Sequence, residues 1–157
     1  MCWRYADDGH GGAQTSHFLR ENSYVEFEKQ LEKTRDPKQA FEKAFEKLDK
    51  DYIDQCLQNP RKAGLFAGSC AVALYFDCVK NCLWAANLGD SRAVLGNVDE
   101  TGWVETVEMT TDHRCETHSC TSVETLTLAI RSQRTATRRL WLTRGTHVHD
   151  VQRWYWC

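Results

Sequence analysis

The stretch from Asp36 to Asn59 constrains the fold more than any other part of this 157-residue chain. Ala40, Phe41, Ala44, Phe45, Leu48, Tyr52, Ile53, Cys56 and Leu57 recur at helical spacing, while Glu42, Lys43, Glu46, Lys47 and Lys50 fill the other side. That is the period of a helix with one buried stripe. Asp36 supplies an acidic cap and Pro37 a preset first turn. Asn59-Pro60 stops the helix, because the residue before a proline is pushed out of the helical region. A helix of this kind needs an apolar surface to lie against, and the rest of the chain has to supply one.

The period changes on either side. Cys2 to Ala6 is short and aromatic and runs into Asp7-Asp8-Gly9-His10-Gly11-Gly12, the pattern of a strand ending in a glycine-rich turn. Ala13 to Arg20 has helical composition, and Tyr24, Phe27 and Leu31 continue it with one apolar side. After residue 67 come four short β-type runs, Ser69 to Phe76, Cys82 to Asn87, Arg92 to Leu95 and Trp103 to Met109, separated by turn-forming segments. Four sequential strands predict an antiparallel meander. A strand, then helices, then strands predicts an α+β fold rather than a doubly wound sheet.

With 41% hydrophobic and 27% charged residues, a packed domain is expected rather than a disordered chain. A net charge of -2 gives no global field to attract nucleic acid or an anionic membrane, so neither is an expected partner, and a monomer is. That total conceals a break. Up to His113 there are 13 Lys+Arg against 19 Asp+Glu; from Arg114 on there are 7 against 3, and all eight lysines lie at or before Lys80. Residues 1–113 and 114–157 therefore read as separate regions, the second expected to be unstructured. Its compositional break also fits an altered reading frame or a retained intron.

Within that second region Val123 to Ile130 fits a strand or a frayed helix, and Arg131 to Arg139 is polar and basic. His113, Cys115, His118 and Cys120 carry zinc-ligand chemistry, but their clustering does not match the paired spacing of zinc fingers. The absence of a long apolar run or a secretory start predicts an intracellular protein, cytoplasmic or nuclear. Cys56, Cys70, Cys78 and Cys82 lie in apolar surroundings and are expected to be reduced, buried thiols.

Two turns carry candidate chemistry. In Asp8-Gly9-His10-Gly11-Gly12 a carboxylate at a strand end, a nearby carbonyl at Gly9 and glycines that admit close approach suit a hard cation such as Mg²⁺ or Mn²⁺. His10 is placed to act as a general acid. By itself the segment is equally an ordinary polar turn. In Leu88-Gly89-Asp90-Ser91-Arg92 a Gly-Asp turn between apolar runs predicts a hairpin.

These two turns occur in order with Gly68-Ser69-Cys70-Ala71-Val72-Ala73 between them and Met109-Thr110-Thr111-Asp112-His113 after them. Taken together, residues 3 to 113 resemble the metal-dependent type 2C protein serine/threonine phosphatases. The resemblance implies a partial α/β/β/α sandwich of antiparallel sheets flanked by helices, a Mg²⁺ or Mn²⁺ centre and a phosphoprotein substrate. It puts Asp8 on the metal-bridging aspartate, Gly9 on the carbonyl that joins the same centre, His10 on the general acid and Asp90 on an aspartate of a weaker metal site.

The departures from the pattern are specific. Only seven residues precede Asp8, so the family's earlier acidic pair and arginine have no counterpart here, and Cys70 stands where threonine is usual. After His113 neither the family's distal Asp-Gly segment nor its Asp-Asn segment is found; the only aspartate beyond Asp112 is Asp150. Two divalent ions need several carboxylates to offset their charge, so weak metal binding and impaired turnover are expected. The alternative is a phosphatase-like remnant that is inactive or binds a partner.

Overall fold

The computed structural model describes residues 2–59, 67–98, 101–113, 124–128, 137–144 and 147–151. In chain order these form β1 (Cys2–His10), α1 (Gln14–Thr34), α2 (Pro37–Gln58), β2 (Gly68–Asp77), β3 (Cys82–Leu88), β4 (Arg92–Val98), β5 (Val104–Glu108), β6 (Glu124–Leu128), β7 (Thr137–Arg144) and β8 (His147–Val151). The chain divides into two compact units, one of Asp7–Ala71 and one of Met1–Ala6 with Val72–Cys157.

The unit of Asp7–Ala71 is dominated by the two helices. Asp36 caps α2 as its sequence predicts, its carboxylate accepting from the Lys38 amide at 3.0 Å and from Gln39 Nε2 at 3.0 Å, with Pro37 in the first turn. The Phe18 ring meets Tyr52 at 5.4 Å and the Phe27 ring meets Phe41 at 4.4 Å. Advancing along α1 thus means retreating along α2, and the pair is antiparallel. Phe27 and Phe41 are both fully buried, each contributing about 1.5–3 kcal/mol from removal of apolar surface. Between the helices, Arg35 takes the left-handed conformation and its amide donates to the Leu31 carbonyl at 2.9 Å, closing α1.

In the other unit lie two four-stranded sheets, ordered β1-β2-β3-β6 and β5-β4-β7-β8, with β1 and β2 starting or ending in the helical unit. The pairs β3–β6, β4–β5, β4–β7 and β7–β8 are antiparallel. Val72 and Leu74 of β2 and Leu83 and Ala85 of β3 pack with Ala93 and Leu95 of β4 and with Met109. This core joins strands of both sheets, and its members alternate along each strand as the two-residue pleat requires. Ala71, Ala73 and Tyr75 on the opposite side of β2 are also buried, so β2 reads as one continuous apolar run. All five residues of β5, which is an edge strand, are exposed.

The structure departs from the expected meander. β2 and β3 are neighbours in one sheet and β4 and β5 in the other, so the chain changes sheets between Leu88 and Arg92. Beyond residue 113 the described residues are extended and paired: β6 lies beside β3, and β7 and β8 extend the sheet of β4. The cluster Cys115, His118 and Cys120 lies outside the described residues. Of the four cysteines expected to be buried, Cys56 is, Cys70 and Cys82 are half-buried, and Cys78 is exposed in the β2–β3 turn. No helix among the described residues is long and apolar enough to cross a membrane.

Candidate functional site

Asp8, Gly9 and His10 are the last residues of β1, where the strand leaves its sheet for the turn into α1. Gly11 and Gly12 have φ of 70° and 145°, a backbone that side-chain-bearing residues adopt only at a cost. The turn is also crowded. A Cβ at Gly9 would lie 3.2 Å from the Gly12 carbonyl and 3.2 Å from Ser16, so the strand end and the first helical turn touch backbone to side chain. Ser16 Oγ donates to the Ala13 carbonyl at 3.0 Å, and Thr15, buried, donates to the Ala67 carbonyl at 2.9 Å. That last bond fixes the start of α1 to the residue before β2.

Gly68 opens β2 beside this turn. A Cβ there would come 2.8 Å from His10 Cε1 and 3.3 Å from Cδ2, with Nε2 nearer still. The imidazole therefore occupies the space that a side chain at residue 68 would fill, while His10 as a whole is exposed to solvent.

The second predicted turn lies in the other unit and is not a hairpin. Gly89 has φ of 97°, and the segment is a corner between sheets held by long-range bonds. Asn87, 2% exposed, donates from Nδ2 to the Gly89 carbonyl at 3.0 Å and to the Thr111 carbonyl at 2.9 Å. The His113 amide donates to the Gly89 carbonyl at 2.9 Å, and the Ala93 amide to Thr110 Oγ1 at 2.9 Å.

Arg92 adds a fork: Nε donates to Asp112 Oδ1 at 2.9 Å and Nη2 to Oδ2 at 2.8 Å, with Nη1 reaching Glu108 at 3.3 Å. The hydrogen bonds to Asp112 push the guanidinium pKa above its already high value. Residues 109–113 thus strap the corner from which Asp90 projects exposed. Buried beside it, Asn87 Oδ1 and Ser91 Oγ have no hydrogen-bond partner among the described residues.

Three of the four predicted site residues, Asp8, Gly9 and His10, therefore share one strand end, and Asp90 stands on the corner of the other unit. Among the described residues no group of three or more His, Cys, Asp and Glu could hold a metal ion. Sequence reasoning missed the Arg92–Asp112 fork, whose partners lie twenty residues apart, and the seat that Gly68 makes for His10. The resemblance had touched both segments without saying what they do.

"Probable protein phosphatase 2C 67" of Arabidopsis thaliana is 35% identical over 117 residues, covering 71% of this chain and 30% of the relative. "Probable protein phosphatase 2C 56" of Oryza sativa subsp. japonica is 36% identical over 87 residues, 55% of this chain and 23% of the relative. The chain spans less than a third of the length of these relatives.

Among solved structures, serine-threonine phosphatase 2C from Toxoplasma gondii matches with a TM-score of 0.56 at 17% identity, over 71% of this chain and 40% of that one. The PPM Ser-Thr phosphatase of Mycobacterium smegmatis matches at 0.54 and 15%, over 89% and 66%. At such identities the likeness bears on the fold alone. The model of the family described as protein phosphatase 2C matches residues 5–119, a span that takes in the glycine turn, both helices and the strapped corner, and the chain belongs to that family.

Proposed function

We propose that this chain carries the leading part of a serine/threonine phosphatase centre, with His10 as its proton donor. The observation that carries the reading is the Asp8-Gly9-His10 strand end, rigidly folded onto α1 and β2 and lying inside the family match. Hydrolysis of a phosphoserine or phosphothreonine ester needs a proton for the departing side-chain oxygen. An exposed imidazole at a strand end can hold and deliver one. The strand–turn supports His10 from behind and leaves it open to a phosphoprotein.

The family is metal-dependent, and when bound its ions supply Lewis-acid and nucleophile-generating chemistry. Asp8, the Gly9 carbonyl and Asp90 are the candidate donors here for Mg²⁺ or Mn²⁺. Among the described residues no group of three or more His, Cys, Asp and Glu supplies the donor set that two hard cations need. We therefore assign the catalytic domain part to residues 1–113 and expect this chain alone to turn over slowly or not at all.

Phosphate release from a phosphopeptide with excess Mn²⁺, alongside calorimetric titration of the ion, tests the reading. Weak metal binding and slow release are expected. Turnover at the ordinary rate of complete family members would refute the claim that the donor set is deficient. Residual slow release undiminished by His10→Ala would refute the role given to His10.

A further inference from the structure

We propose that Gly68 is a positioning residue for His10, its missing side chain forming the seat that fixes the imidazole. A glycine in a strand is either demanded by the backbone or demanded by a neighbour. The backbone does not demand this one: among the described residues the glycines with positive φ are Gly11, Gly12, Gly89 and Gly102, and Gly68 is not among them. An alanine would fit the local conformation and would ordinarily be stabilising there.

What occupies the space is the His10 ring, with Cε1 2.8 Å and Cδ2 3.3 Å from the place of a Cβ and Nε2 closer than either. Restoring ordinary van der Waals separation would move the ring outward by on the order of 1 Å. A shift of that size, in a group that must meet a departing oxygen, costs roughly 100-fold in rate.

The seat itself is held. Thr15 Oγ1 donates to the carbonyl of Ala67, the residue before Gly68, at 2.9 Å, and that hydroxyl belongs to the first turn of α1. The strand carrying His10 runs into the same turn, and its Gly9 touches Ser16 one residue further along α1. Both partners are therefore referenced to one helical turn. With β2 held by the Thr15 bond, it is the exposed His10 ring, the far end of its side chain, that gives way to a Cβ at residue 68. Only the functional meaning of the seat rests on His10 being the proton donor; the packing does not.

The test is a two-by-two set of Gly68→Ala and His10→Ala in the full 157-residue chain, read by thermal melting and by the histidine ring ¹H–¹³C cross-peaks at one fixed pH without metal. The His10 peaks are identified by their loss in His10→Ala. We expect Gly68→Ala to move the His10 ring peaks while those of the other histidines hold, and to lower Tm. In the His10→Ala background the same change should be neutral or stabilising, a coupling of about 2–8 °C. A Gly68→Ala chain that does not fold supports the seat if the double variant does fold, and refutes it if the double variant fails too. Unmoved His10 peaks, or an equal Tm loss in both backgrounds, overturn the proposal. Neither readout needs turnover, so a chain without phosphatase activity leaves this result standing.

Discussion

Removing the Asp112 carboxylate isolates the fork that straps the corner of the sheet unit. Asp112→Ala takes away two charge-assisted bonds, of 2.9 and 2.8 Å, from Arg92. Bonds to charged groups are worth about 1.5–3 kcal/mol when their loss leaves a buried charge. Here the discount is large. The Arg92 side chain is 38% exposed, so water can solvate the guanidinium, and Glu108 stays 3.3 Å from Nη1. Asp112 is 10% exposed and is removed together with its own desolvation cost. A loss of about 1–2 kcal/mol follows, or about 2–8 °C in Tm.

Urea unfolding followed by tryptophan fluorescence should show a lower midpoint at unchanged slope. The cycle of Arg92→Ala and Asp112→Ala should give a coupling of about 1 kcal/mol, and Arg92→Lys, which keeps the charge but not the fork, should recover less than half of it. A coupling below about 0.3 kcal/mol would show that the corner is held without the fork, and would refute the strap.

Two further outcomes are expected in the helical unit. Phe41→Ala should cost about 3–5 kcal/mol by emptying the fully buried contact with Phe27, and chemical denaturation that shows under 1 kcal/mol would mean the helix pair is not packed as described. Asp36→Ala should cost about 0.5–2 kcal/mol, with Asp36→Asn recovering most of it, because the cap needs an acceptor for the Lys38 amide rather than a charge; equal losses in the two variants would count against that bond.

The helix at 37–58 was legible almost to the residue because its signals are local: a cap, a proline and an apolar stripe recurring along one side. α1 was read as a continuing helical stretch from Ala13 to Leu31 and is one helix of 21 residues, Gln14–Thr34. Its buried positions are Thr15 and Ser23 beside Phe27, so its inner side is partly polar and its bounds are less sharply marked in sequence than those of α2.

The strands β2 to β5 were found within a few residues, but their sorting into sheets was not. An apolar run, a Gly-Asp pair and another apolar run look the same in a hairpin and in a corner. The difference lies in Asn87 reaching Thr111 and Arg92 reaching Asp112, contacts no local pattern encodes. The site showed the same division. The roles proposed for Asp8, Gly9 and His10 rest on residue type and order, whereas Gly68 is silent in sequence and becomes informative only when the His10 ring beside it is seen.

β1 and β2 are neighbours in their sheet, yet the chain makes an excursion through residues 11–67 before it returns. Closing so long a loop costs an unfolded chain about 3–4 kcal/mol in entropy beyond a constant. Zippering β2 to β3 across a short turn carries almost none of that penalty. β1, with Asp8 and His10 at its end, is thus placed to join late in folding, after the paired helices have shortened the path. The chemistry-bearing strand end would then be assembled only in molecules whose helical excursion has already formed.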